Sequence, residues 1–144
     1  SKAYSAAGVE INNKEKGIFV TLSDDKKSNF LDTIKKYIEL EFTVYSTQGT
    51  GEFLKSKGID SILVGKANDT GQTSLSIIDE KLVSLVINTP TYANELTDGW
   101  KIRRLSHETG VAVVSSVREA DAFIEAFLKQ NSVLEDMDAI QDVS

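Results

Sequence analysis

The sequence FTVYSTQGT, residues 42–50, joins a short apolar run to a polar segment that holds threonines and a glycine. The same change occurs in LVINTPT, residues 85–91, and in IFVTLSDDKK, residues 18–27. Apolar runs of this length predict strands that are covered on both faces, as in a parallel sheet. The carboxyl ends of such strands meet at one edge, where open α/β folds bind ligands. The sequence therefore predicts an α/β fold with a polar site at that edge.

Five short runs rich in β-branched residues alternate with helical patterns along the chain. This alternation predicts βαβ units with right-handed crossovers. We therefore predict a single-domain, doubly wound, mainly parallel five-stranded sheet with helices on both faces. The predicted strands are Gly17–Leu22, Phe42–Ser46, Ser61–Val64, Ser84–Asn88 and Val111–Ser115.

The segments between the strands carry apolar residues at helical spacing. The predicted helices are Lys26–Glu41, Thr50–Lys57, Leu75–Leu82 and Trp100–Thr109. Thr50 is predicted to cap the second helix, because threonine is favoured at that position.

The last helix is predicted to open with a capping box formed by Ser116 and Glu119. One face of this helix is predicted to pack on the core, and its apolar residues are Ala120, Phe123, Ile124, Phe127 and Leu128.

Both ends of the chain are polar and weakly patterned. We predict that residues 1–16 are a linker from a preceding region of a longer parent chain. Residues 17–130 form the predicted domain. Residues 131–144 are predicted to form a polar, acidic tail.

Composition excludes several classes of function. The 144 residues contain no cysteine and one histidine, His107, which argues against disulfides, thiolate chemistry and a histidine-based metal site. The formal charge of −6 argues against nucleic acid as a partner. The sequence contains no run of about 18 apolar residues, the length that would predict a membrane span. A cytoplasmic protein is the expectation.

Polar residues at the predicted strand ends are the first candidates for an anion site. Thr47 and Thr50, with the N–H groups of the turn, suit a phosphate or carboxylate. The alternative is that Gly49 forms the turn and Thr50 only caps a helix. Asn88 could likewise satisfy loop backbone groups. Three strand ends of the same character favour a ligand site.

Charged residues near these strand ends give further candidates. The cationic ones are Lys26, Lys27 and Lys66, of which Lys66 follows a predicted strand most directly. Asp24 and Asp25 could be general bases, but we favour a role at the start of the following helix, where carboxylates suit the dipole.

Other conspicuous residues suggest less. Arg103 and Arg104 point about 100° apart on a helix, so at most one is expected to face a ligand. His107 has no partner spacing typical of catalysis and is expected at the surface. Trp100 is expected to serve packing rather than ligand stacking.

The order of these motifs resembles the methylglyoxal-synthase-like domain family. More narrowly, it resembles the C-terminal allosteric domain of the carbamoyl phosphate synthetase large chain. The similarity runs from about residue 17 to residue 130. The segments that carry it are residues 22–27, 46–50, 58–59, 64–66, 86–90 and 102–104.

The resemblance implies a domain without catalysis or cofactor of its own. In that family the domain binds an anionic regulator and tunes ATP-using synthetase domains elsewhere in the chain. The implied parent is an ATP-dependent, glutamine-hydrolysing ligase, with ATP and a divalent metal in its synthetase domains. The implied partners are the remaining domains of the large chain and the glutaminase small chain, and oligomerisation through the parent is compatible with this.

The identity of the regulator stays open. A pyrimidine nucleotide, a purine nucleotide and an acylated amino acid are all compatible with the resemblance. So are arginine biosynthesis and pyrimidine biosynthesis as the pathway of the parent.

The resemblance also implies roles for individual residues. Thr47 and Thr50 would hold the regulator's phosphate or carboxylate, Lys66 would bind phosphate and Asn88 would contact the ligand. Ser23 and Lys27 match the family's first strand end, although the loop between them is two residues shorter than expected, so Lys26 is the alternative to Lys27. The predicted site is completed by Thr89 and by Thr91, which would replace a threonine lost to Pro90.

Methylglyoxal synthase is the catalytic alternative in the same superfamily. It requires a His-Asp pair, a phosphate loop and a glycine-rich segment with a catalytic aspartate. The corresponding segments here are Ser23-Asp24, residues 47–51 and KANDTGQ, residues 66–72. Because none supplies a convincing base for proton abstraction, we favour regulation over this lyase activity. A plain interaction domain explains the polar strand ends least well.

Overall fold

The computed structural model describes residues 16–65, 71–89 and 98–143. All five predicted strands are confirmed, each shortened by one or two residues. They are β1 (Gly17–Thr21), β2 (Thr43–Ser46), β3 (Ile62–Leu63), β4 (Leu85–Asn88) and β5 (Ala112–Val114).

The strands form one parallel sheet in the order β3-β2-β1-β4-β5. Strands β2 and β3 lie on one side of β1, and the chain then crosses to the other side of β1 to form β4 and β5. This reversal makes the gap between the carboxyl ends of β1 and β4 the topological switch point, where ligands of open α/β sheets bind.

Among the described residues, five α-helices cover the sheet, and a 3₁₀ turn at Ser28–Phe30 precedes the first. The helices are α1 (Leu31–Glu39), α2 (Gln48–Ser56), α3 (Ser74–Asp79), α4 (Asp98–Thr109) and α5 (Val117–Val143). In the part of the chain that the structure describes, no helix combines the length and apolar character needed to cross a membrane.

Each face of the sheet has its own hydrophobic core, as a doubly wound fold requires. Ile18 and Val20 of β1 point to one face, where α1, α2 and α5 pack. Phe19 points to the other face, where α3 and α4 pack. All three side chains are fully buried. The unbroken apolar runs in the sequence therefore reflect strands covered on both sides.

The helix ends correct several details of the prediction. Helix α2 begins earlier than predicted, with Thr47 at its N-cap, so the assignment of Thr50 as the cap is wrong. On α5, Leu128 is 45% exposed and does not join the predicted apolar face. The backbone of α5 continues to Val143, so residues 131–143 of the predicted polar tail are helical.

The start of α5 follows its prediction closely. The Glu119 N–H donates to Ser116 Oγ at 3.2 Å, and the Glu119 carboxylate accepts from the Ser115 N–H at 3.2 Å. Both bonds satisfy backbone donors at the helix start. The Ser115 N–H, which donates to the carboxylate, is the largest cause that lowers the pKa of the Glu119 carboxyl.

A candidate anion-binding site

The loop after β1 is fastened to β4 by one threonine. The Ser23 N–H donates to Thr89 Oγ1 at 2.7 Å, and the Thr89 hydroxyl donates to Ser23 Oγ at 3.3 Å. The Thr89 N–H also donates to the Thr21 carbonyl at 3.1 Å. Both Ser23 and Thr89 are buried. These predicted site residues therefore meet at the switch point, where they fix the loop.

A second threonine fastens the same loop from the side of β2. The Leu22 N–H donates to Thr50 Oγ1 at 3.0 Å, and the Thr47 hydroxyl donates to the same oxygen at 3.4 Å. Because Thr50 accepts two bonds, both of its lone pairs are used and its proton remains available for an acceptor. Thr50 is thus a positioned donor rather than a helix cap.

The start of α2 offers backbone donors to a ligand. Thr47 occupies the N-cap but its side chain makes no capping bond. The Gly51 N–H is satisfied by the Thr47 carbonyl at 2.8 Å, whereas the residues before it belong to the first turn, whose N–H groups have no helical acceptor. Gln48 and Gly49 are exposed. Such a helix start, with its positive dipole end, is suited to an anion.

Lys27 brings a cation to the same place. Its Nζ lies 3.8 Å from the point that a Cβ on Gly49 would occupy. The side chain of Lys27 is 15% exposed, whereas Lys26 is exposed. Of the two lysines, Lys27 is therefore the one beside α2. We call Lys27, Thr47, Gly49 and Thr50 the α2 corner.

Asp24 is the present partner of Lys27, at 2.7 Å between Oδ1 and Nζ. The hydrogen bond from Lys27, helped by its positive charge, holds the pKa of Asp24 below its usual value. Asp24 therefore does not act at the helix start, which corrects the role favoured from the sequence: Lys27 itself precedes the 3₁₀ turn. The spacing of three residues between Asp24 and Lys27 was a signal that could have revealed the pair.

Asn88 faces a different region. It lines a groove of about 940 Å³ between α4 and β5, together with Arg103, Arg104 and His107. We call this the α4–β5 groove. Asn88 is 6% exposed, and its Nδ2 has no hydrogen-bond partner. Both arginines border the same groove, and His107 is exposed as expected.

Two predicted site residues, Lys66 and Thr91, lie outside the described residues, as does Pro90. Their roles stay predictions. The described part of the site has three components. They are the hydrogen-bonded pair Ser23 and Thr89 at the loop after β1, the α2 corner, and Asn88 at the groove.

Comparisons with known proteins point to one family. The sequence profile of the MGS-like domain matches residues 29–115. The carbamoyl phosphate synthase large chain of Clostridium acetobutylicum is 32% identical over 126 residues, which are 87% of this chain and 11% of that protein. The C-terminal section of the large chain from Methanocaldococcus jannaschii is 32% identical over 110 residues, or 76% of this chain and 18% of that one.

The C-terminal section from Aquifex aeolicus is similar to the same extent, at 32% identity over 126 residues and 23% of its length. The chain therefore spans between 11% and 23% of the length of these relatives. The likeness concerns one domain of much larger proteins.

Proposed function

The chain belongs to the family of MGS-like domains, and we propose that it is the allosteric regulatory domain of a carbamoyl phosphate synthase large chain. In this proposal an anionic effector binds at the carboxyl edge of the sheet. Its binding tunes the ATP- and glutamine-dependent synthesis of carbamoyl phosphate by the other domains and the glutaminase small chain. We propose no cofactor for this domain and a cytoplasmic location.

The observation that carries the proposal is the convergence of two positive groups at the α2 corner. The Lys27 ammonium lies beside Gly49, at the end of α2 that carries the positive dipole. A cation at this end of a helix is unfavourable by itself. An anion between the ammonium and the first-turn N–H groups removes that repulsion and gains charge-assisted hydrogen bonds.

The hydroxyls of the corner suit the same ligand. Thr50 has its acceptor capacity taken by the Leu22 N–H and by Thr47, so its remaining capacity is to donate. A phosphate or carboxylate oxygen is the complementary acceptor. The corner thus recognises negative charge through an ammonium, backbone N–H groups and a hydroxyl.

The charge state of Asp24 favours regulation over lyase chemistry. A base that abstracts a proton near neutral pH needs a pKa close to the working pH. Lys27 instead lowers the pKa of Asp24, which makes its carboxylate a weaker base. Asp25 is exposed to solvent.

Regulation by such a site follows from linkage. An effector shifts the parent's activity only by the difference between its affinities for the two states of the parent. Nucleotide and acylated amino-acid effectors both carry the negative charge that the corner would select. The pathway, arginine or pyrimidine biosynthesis, depends on which of them binds.

A thermal-shift screen of the 144-residue chain tests the proposal. The ligands are uridine and inosine monophosphates, phosphoribosyl pyrophosphate, N-acetylglutamate and inorganic phosphate. A ligand present at about 100 times its Kd raises the free energy of unfolding by about 2.7 kcal/mol. Stabilisation by none of these ligands would contradict the proposal.

Lys27→Met, with Lys26→Met as its matched control, then locates the site. Hydrogen bonds to charged groups contribute about 1.5–3 kcal/mol. We therefore expect Lys27→Met to weaken the stabilising ligand about 10- to 100-fold and Lys26→Met to change it little. Lys66→Ala is predicted from the resemblance to have a similar effect. Equal losses in the two Met variants would argue against the α2 corner as the site.

A further inference from the structure

The two partners of the Asp24–Lys27 ion pair are held very differently. The Lys27 side chain is 15% exposed, whereas the Asp24 side chain is 96% exposed. The ammonium is therefore packed beside α2, and the carboxylate reaches it from the solvent side. Asp24 Oδ1 lies 2.7 Å from Lys27 Nζ, so the carboxylate occupies one of the positions from which an anion could approach the ammonium.

We infer that Asp24 is an internal competitor for the anion, a residue that occupies Lys27 until the effector displaces it. This inference rests on the proposed function of the α2 corner. It adds a role for an acidic residue in a site whose other members all attract negative charge.

Local backbone geometry keeps the competitor close. The Lys26 N–H donates to the Ser23 carbonyl at 3.0 Å, and the Asn29 N–H donates to the Lys26 carbonyl at 3.1 Å. These turns place Asp24 and Lys27 on the same side of the loop. Because both residues belong to one short segment, the carboxylate has a high effective concentration at the ammonium.

Displacement of Asp24 requires little rearrangement. An almost fully exposed carboxylate leaves the ammonium by a side-chain rotation and is at once hydrated. Exposed ion pairs are weak because solvent screens them. Asp24 therefore does not block the site. It raises the concentration of anion needed to fill it, by up to about fivefold.

Asp25 provides a matched control. It is exposed, adjacent in sequence and equal in charge, and it takes part in neither ion pair found among the described residues. Asp25→Asn removes the same charge from the same loop without freeing Lys27. Any difference between Asp24→Asn and Asp25→Asn therefore isolates the contact with Lys27 from the general repulsion of an anion.

The test is calorimetric titration of the full chain with inorganic phosphate at about pH 8, where phosphate is doubly charged. We expect Asp24→Asn to tighten phosphate binding by about two- to fivefold and Asp25→Asn to tighten it clearly less. In a Lys27→Met background, Asp24→Asn should have no more effect than Asp25→Asn. Unchanged melting temperatures would show that the variants remain folded.

The outcomes separate the inference from the function on which it rests. If wild-type protein binds phosphate and the two Asn variants bind it with the same affinity, Asp24 is not a competitor, but the anion site stands. The inference is also wrong if the gain from Asp24→Asn persists in the Lys27→Met background. If neither wild type nor Asp24→Asn binds phosphate, the proposed anion site itself is wrong.

Discussion

The α2 corner and the α4–β5 groove lie on opposite sides of the β1–β4 switch point, and their polar groups are satisfied to different degrees. In the corner, Thr50 Oγ1 accepts the buried Leu22 N–H at 3.0 Å. At the groove, Asn88 Nδ2 is buried without a partner. The threonine side chains of the first region are positioned by hydrogen bonds within the protein, whereas the buried Asn88 amide of the second makes none at Nδ2.

This difference separates positioning from recognition. A site whose members are already held binds a ligand with little further loss of conformational freedom. The α2 corner fits that description for a small anion. A buried donor without a partner costs free energy until an acceptor reaches it. The groove therefore gains from a group that offers an acceptor to Asn88, beside the positive charges of Arg103 and Arg104.

The largest expected effect comes from Thr50→Val, which keeps the shape of the side chain and removes its hydroxyl. The Leu22 N–H then loses its acceptor in a buried position, at a cost of about 1–3 kcal/mol. We expect the free energy of unfolding to fall by that amount in urea denaturation. Asn88→Leu, the counterpart at the groove, removes a donor that is already unsatisfied and should change stability by less than about 1 kcal/mol.

The comparison between the two regions depends on the order of these effects. Thr47→Val serves as a control near the same oxygen, since Thr47 is only half-buried and its bond to Thr50 is long, at 3.4 Å. A loss on Asn88→Leu as large as that on Thr50→Val would show that the Asn88 side chain supports the fold as strongly as the corner hydroxyl does.

Sequence patterns were sufficient for the sheet because each strand is short, apolar and followed by a helix with clear periodicity. They failed where tertiary contacts decide the role of a residue. Thr50 has the chemistry of a cap, but a hydrogen bond to Leu22, 28 residues earlier, uses its oxygen within the helix. Leu128 continues the apolar spacing of α5, yet it is 45% exposed although its neighbour Phe127 is buried in the core.

The sequence predicted which strand-end residues are candidates for the site, but not which of them contact one another. Composition gave no reason to choose between Lys26 and Lys27. The structure places Lys27 Nζ beside Gly49, which is 22 residues away in sequence, so the choice between the two lysines depends on a tertiary contact. The position of Arg103 beside Asn88 depends on how α4 packs along β5, which no local pattern specifies.

Gly49→Ala is expected to act on ligand binding more than on stability. An added Cβ would sit 3.8 Å from Lys27 Nζ, an ordinary contact, so the free protein accommodates it. Alanine is also the better helix former, which should raise stability by up to about 0.5–1 kcal/mol. The methyl group nevertheless occupies space between the ammonium and the helix start, so we expect phosphate binding to weaken several-fold in calorimetric titration.

Gln48→Ala is the control for this substitution, because Gln48 is the exposed neighbour in the same turn and its side-chain amide donates to Glu52 Oε2 at 3.5 Å. Phosphate binding that tolerates Gly49→Ala as well as Gln48→Ala would place the anion away from the α2 corner.

The smallest expected effect is on the titration of Asp24. Lys27 lowers the pKa of this carboxyl, chiefly through a hydrogen bond, so the contribution of the pair to stability is present above the unfolded pKa and is lost as pH falls through the folded one. We expect Lys27→Met to return the pKa of Asp24 towards its usual value. This pKa can be measured by NMR of the side-chain carboxyl carbon. Arg103→Met, which alters only the groove, should leave that pKa unchanged. A pKa shift of equal size in both variants would mean that Asp24 responds to the general positive field of the sheet edge rather than to one ammonium. The α2 corner and the α4–β5 groove would then not be electrostatically independent.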